Sequence, residues 1–174
     1  MFLIVQGSKA QNVNVDNIQI SNINNTLLNQ YGEYIQFSEL IKGKVVVMNF
    51  IYTTCTTICP PMGAIFGRLK TMLTDKLDKE FVMLSVSIDP ITDTPERLKA
   101  WSEKFGNHGK DWTLLTGGKS EIDNLLKELN VFSPDKHDHA PIILIGREGK
   151  GNWIQTSGLS TPSKIIELID SLYD

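Results

Sequence analysis

The run Val45-Val46-Val47-Met48-Asn49-Phe50-Ile51-Tyr52 is apolar at every position but Asn49. A segment of this kind has no polar face to offer water. It suits a strand covered on both sides, in the middle of an α/β sheet. Directly after it comes Thr53-Thr54-Cys55-Thr56-Thr57-Ile58-Cys59-Pro60-Pro61, which holds the chain's 2 cysteines. Adjacent prolines fit the first turn of a helix, where N–H groups have no partner in any case. Ile65, Leu69, Met72 and Leu73 then recur at helical spacing, giving that helix a core face. The cysteines are therefore expected at a strand-to-helix junction.

The same reading extends along the chain. A second central strand is expected over Phe81–Ile88, followed by a helix with Thr94 as cap and Pro95 in its first turn. Trp112–Leu115 reads as a short strand, and Ser120 as the cap of a helix carrying Ile122, Leu125, Leu126 and Leu129. Ile142–Ile145 and Asn152–Thr156 flank the turn Arg147–Gly151 as a hairpin, and Thr161-Pro162 opens a last helix. Upstream, an asparagine-rich stretch with interleaved Val and Ile reads as irregular edge structure with one short strand. Gln30–Tyr34 is a turn between two short strands, and Ser38–Leu40 a brief helical turn. Alternation of strands and helices implies a parallel core, to which the hairpin adds antiparallel pairing. The expected fold is α/β, a mixed central sheet with helices on both faces.

At 174 residues a single domain spanning 1–174 is the natural expectation. A net charge of −3 offers no basic face and argues against a nucleic-acid binder. No apolar run approaches the roughly 18–20 residues that span a bilayer. Met1–Val5 is apolar but shorter than a signal-peptide core; residues 1–19 read as irregular, or as the remnant of an export or anchor segment.

Cys55 and Cys59 carry the chemistry. At the start of a helix the partial positive charge favours thiolate over thiol. Four-residue spacing across a turn allows a disulfide, electron shuttling, or a clamp on a soft metal ion. A third ligand would move the balance toward metal, and the candidates are His108, His137 and His139. His108 lies in a glycine-flanked loop and reads as solvated. His139 is nearest the Ile142 strand and is the better-held of the other two. It lies beside the thiols only if that strand neighbours Val45–Tyr52 in the sheet. Two thiolates and an imidazole suit Cu(I), whereas zinc would ask for a fourth ligand. Asp89, Asp93 and Glu96 form an acidic cluster after the second strand, read first as helix-start capping and second as a metal or docking site. Met62 reads first as packing and second as a copper-adjacent thioether, and Met48, Met72 and Met83 as core.

Taken together, three segments resemble the signatures of the SCO/SenC family. They are Gly43–Pro60 with its Cys55-x-x-x-Cys59, Ser85–Glu96, and Asp138-His139 ahead of the penultimate strand, and Leu114–Gly117 also matches. The likeness runs from about Ile20 to the C-terminus. It implies a thioredoxin-like three-layer fold with an extra N-terminal hairpin. It implies copper, as Cu(I) or Cu(II), held by Cys55, Cys59 and His139. It further implies a metallochaperone that delivers copper to the dinuclear copper site of cytochrome c oxidase, its partner being the copper-accepting subunit or another thiol client. Family members work in the periplasm or mitochondrial intermembrane space, usually tethered to the inner membrane, and this chain shows no tether. The alternative is a thiol:disulfide oxidoreductase using Cys55 and Cys59 as its redox pair. Pro141, two residues after His139, is similar to the proline that thioredoxin-like reductases keep beside their cysteines.

Overall fold

The computed structural model describes residues 13–15, 18, 20, 23–75 and 81–173. Met1–Val5 lies outside them. Eight strands form one mixed sheet in the order β1-β8-β7-β4-β5-β6-β2-β3. These are β1 (Val13–Val15), β2 (Thr26–Asn29), β3 (Tyr34–Gln36), β4 (Val45–Ile51), β5 (Phe81–Ser87), β6 (Trp112–Thr116), β7 (Ile142–Arg147) and β8 (Trp153–Ser157). The helices are α1 (Phe37–Ile41), α2 (Cys59–Leu73), α3 (Pro95–Glu103), α4 (Lys119–Glu128) and α5 (Pro162–Asp170). Strands β4, β5 and β6 run parallel, and β7 lies antiparallel to β4 with Asn49 opposite Ile143.

Every residue of β4 and β5 is buried, as the apolar run requires. On one face Val45, Val47 and Ile51 pack with Phe66 and Leu69 of α2, Leu98 and Trp101 of α3, and Ile165 of α5. On the other, Val46, Met48 and Phe50 pack with Phe37 of α1 and Ile122 and Leu125 of α4. The arrangement is three layers, helices on both faces of the sheet. Within the buried run the Asn49 side-chain oxygen accepts the Ser85 hydroxyl, while Asn49 Nδ2 is buried without a hydrogen-bond partner among the described residues. That hydroxyl in turn accepts Trp112 Nε1–H at 2.9 Å.

The Thr26–Gln36 hairpin turns at Gly32, whose φ of 75° favours glycine, and extends the sheet beyond β6. It is the expected N-terminal addition. Thr94 and Thr161 cap their helices as expected, accepting from Arg97 N and Lys164 N. Two expectations are corrected. Helix α4 begins at Lys119 with Gly118 as cap, and Ser120 turns its hydroxyl to Glu121 instead. Met72 is exposed: the buried stripe of α2 runs Cys59, Met62, Phe66, Leu69, Leu73, and Met72 falls off it. Val13–Val15, in the stretch read as edge structure with one short strand, pairs antiparallel with β8 at the sheet edge.

Candidate metal and thiol site

The site lies at the C-terminal ends of parallel strands β4 and β5, where α/β sheets place their functional loops. Chain leaving β4 turns through Thr53 and Thr54, with Cys55 N–H donating to the Tyr52 carbonyl at 3.1 Å, and enters α2 at Cys59. Pro60 and Pro61 thus fall in the first turn of the helix, as expected. No side chain caps α2. Instead the Cys59 backbone N–H points at Cys55 Sγ at 3.4 Å, so sulfur takes the acceptor's place at the helix start. Both cysteines are buried and reduced.

Their surroundings make the two thiols unequal. Burial raises the Cys55 thiol, but hydrogen bonds from the Cys59 N–H and thiol and from the backbone at Thr57 and Ile58 outweigh it. The net value falls to about 6. Cys59 moves the other way. Burial raises it first, and the Cys55 thiolate and Asp93 charge add to the effect. One thiolate is therefore held by the pair near neutral pH, on Cys55. Tyr52 donates its hydroxyl to that sulfur, and burial together with this bond pushes the phenol up to about 12.

His139 arrives from the opposite side. The 3₁₀ turn Lys136–Asp138 leads into it, and β7 follows. Because β7 neighbours β4, the His139 loop enters the sheet beside the point where the cysteine loop leaves it. The imidazole is half-buried with its ring 5.7 Å from that of Phe50, and burial lowers its pKa, which keeps it neutral. His139, His137, Cys59, Met62 and Pro141 line one cavity of about 70 Å³, floored by Phe50 and flanked by Tyr52 and Lys136. Cys55 adjoins it through Cys59. Among the described residues, no three histidine, cysteine or acidic side chains converge at metal-binding distance. The structure thus brings the predicted residues to one place without closing them around an ion. His108 is exposed on a separate loop, as expected.

The acidic cluster divides. Asp93 is fully buried and is not a cap, since Thr94 holds that position. Its carboxylate accepts from Thr53 N at 3.1 Å, from the Thr53 hydroxyl at 2.5 Å and from the Ser87 hydroxyl at 2.7 Å, pinning the loop that carries Cys55. Asp89 takes Lys136 at 2.6 Å; after the opposing effect of burial, that contact and Thr92 hold its carboxyl low. Glu96 is exposed. Sequence reasoning missed Tyr52 and Lys136, and ranked Asp93 as a cap. The available signal was its place one residue before Thr94-Pro95, outside the capping position.

These features match a known group. The sequence model described as SCO1/SenC covers residues 19–170. The chain belongs to the SCO1/SenC family. It is 34% identical to the SCO1 protein homolog of Bacillus subtilis over 72% of this chain and 68% of that protein. A SCO1/SenC family lipoprotein from Bacillus anthracis shares its fold at a TM-score of 0.70 and 32% identity, over 86% of this chain and 92% of that one. BsSco, described as having a disulfide switch and as a member of the Sco family of cytochrome c oxidase assembly proteins, matches at a TM-score of 0.71 and 26% identity. That match covers 95% of this chain and 98% of its own. Copper-bound yeast Sco1 shares the fold alone, at a TM-score of 0.65 and 23% identity over 84% of this chain and 87% of that one. The SCO1/SenC chain described here is thus thioredoxin-like in fold, with the hairpin β2–β3 added.

Proposed function

We propose that this SCO1/SenC chain binds copper through Cys55, Cys59 and His139 and delivers it to the dinuclear copper site of cytochrome c oxidase. The observation that supports the reading most strongly is the pairing of a favoured Cys55 thiolate, beside Cys59, with a neutral imidazole on the cavity that Cys59 lines. Soft sulfur and intermediate nitrogen donors suit copper, and both must be deprotonated or neutral to bind it. In the bound form Cys55, Cys59 and His139 would hold the ion. Copper is cargo here, and it leaves by exchange onto the ligands of its acceptor.

Oxidation of the Cys55 thiolate and the Cys59 thiol to a disulfide would pass two electrons to the oxidant and release one proton, and so block loading. The proposed partner is the copper-accepting oxidase subunit, with a thiol client as the other form the acceptor takes. The proposed working place is the periplasmic side of the inner membrane, in keeping with a Bacillus anthracis relative that is a lipoprotein. No helix among the described residues is long and apolar enough to cross a membrane.

Elemental analysis of the reduced protein tests the reading. Wild type is expected to carry equimolar copper, and Cys55→Ser, Cys59→Ser and His139→Ala to lose it. Full occupancy in His139→Ala would remove the histidine from the ligand set. No copper in any form, with dithiol turnover intact and dependent on both cysteines, would replace the chaperone with an oxidoreductase.

A further inference from the structure

Of the three histidines, one has no part in the ligand set above yet sits at its opening. His137 is exposed, but it lines the same cavity as half-buried His139, buried Met62 and buried Cys59. Donors therefore run inward from solvent in order of softness, imidazole first and sulfur last. The position of His137 is built. Its backbone N–H donates to Asp135 Oδ1 at 2.8 Å, which fixes the 3₁₀ turn under it. Its ring stands edge-on to Tyr52, with centroids 6.0 Å apart at 85°, and Nδ1 lies 3.5 Å from the Tyr52 oxygen.

That contact bears on which nitrogen is free. In the tautomer whose Nδ1–H donates to the Tyr52 oxygen, Nε2 keeps a bare lone pair. A histidine ligating a metal is prepared the same way, its second nitrogen donating to an oxygen that sets the tautomer. The neighbouring cation does not oppose this. Lys136 is drawn off to Asp89 at 2.6 Å and lies over the Tyr52 ring, 5.2 Å from its centroid. Asp135 and Asp138 flank His137 in the turn.

We infer that His137 is a capture ligand: its Nε2 takes up a copper ion at the cavity mouth and passes it inward to the sulfur of Cys59. The inference rests on the copper reading given above. In the transfer the Cu–Nε2 bond breaks as the Cu–S bond forms, the Cys59 thiol proton leaves to solvent, and the copper keeps its oxidation state. Thiolate is the softer donor and holds the ion more tightly than imidazole, so the exchange runs inward.

The test is anaerobic stopped-flow mixing of the full reduced chain with Cu(I) supplied as its acetonitrile complex, followed by thiolate-to-copper absorption. A competition titration gives the equilibrium affinity. His137→Ala is expected to slow uptake several-fold while stoichiometry and affinity stay at wild-type values. Release to a chelator must then slow by the same factor. His108→Ala, an equally exposed imidazole on another loop, is expected to change nothing. Equal uptake rates in wild type and His137→Ala would overturn the inference. So would loss of affinity in His137→Ala, which would make it a permanent ligand, or an equal slowing in His108→Ala. Wild type taking up no copper would instead sink the copper reading itself, and this inference with it.

Discussion

Cys55 is the most perturbed functional side chain near neutral pH, and its neighbours explain why. Burial alone would suppress the thiolate, but the N–H groups at the start of α2 and the Cys59 thiol all point at its sulfur and bring it to about 6. Two consequences follow from the sign of the shift. Since the folded value is depressed, the thiolate contributes stability above the unfolded value, and that contribution is lost as pH falls through about 6. Alkylation of the reduced, copper-free protein should therefore rise with pH about a midpoint near 6 and plateau with one cysteine modified per chain, identified as Cys55 by peptide mapping. A midpoint near the unperturbed thiol value of about 8.5 would contradict this account of the helix start. Both cysteines and their place at a helix N-terminus were legible in the sequence. Their inequality was not, because it depends on which sulfur the Cys59 N–H reaches and which thiol is the more deeply enclosed.

Helix α2 holds that geometry through an unusually close approach. Gly63 and Gly67 lie one turn apart on the side facing Phe105, just past α3. A methyl group at 67 would run into the Phe105 carbonyl oxygen, which is backbone, whereas one at 63 would meet the Phe105 ring, which is half-exposed and can turn. Gly67→Ala is thus expected to destabilise the fold by about 1–3 kcal/mol, the usual range for overpacking, and Gly63→Ala by less. Urea unfolding of both variants measures this, and a reversed order would show that the ring is the more rigid neighbour. Helix existence was readable from proline and threonine signals, and the caps at Thr94 and Thr161 formed as their residue types dictate. The start of α4 was not, because Ser120 reads equally as a cap and as a first-turn residue that bonds to Glu121. Met72 misleads for a related reason: positions 69, 72 and 73 all satisfy a loose helical spacing, and only the packed stripe separates them.

Across the whole molecule, the alternating order of elements announced a layered α/β fold, but the sequence held no information on which strands lie side by side. The adjacency of β4 and β7 had to come from the structure, and it is what sets His139 opposite the cysteines. A ligand that joins these two loops should stabilise the entire fold. With Cu(I) at about 100 times its Kd, the gain is about 2.7 kcal/mol. For a chain of this size that is a rise in Tm of about 5–10 °C. Calorimetry of the reduced protein with and without Cu(I) checks it, and the disulfide form should show no such shift. The β4–β7 ladder also imposes an order on events in the life of the chain. The cysteine segment is made early and the histidine segment late, and pairing across such a sequence separation is slow compared with local helix formation. Until that ladder closes, the newborn chain has sulfur without an imidazole facing it. Under the copper reading proposed above, competence to hold metal would therefore wait on completed folding.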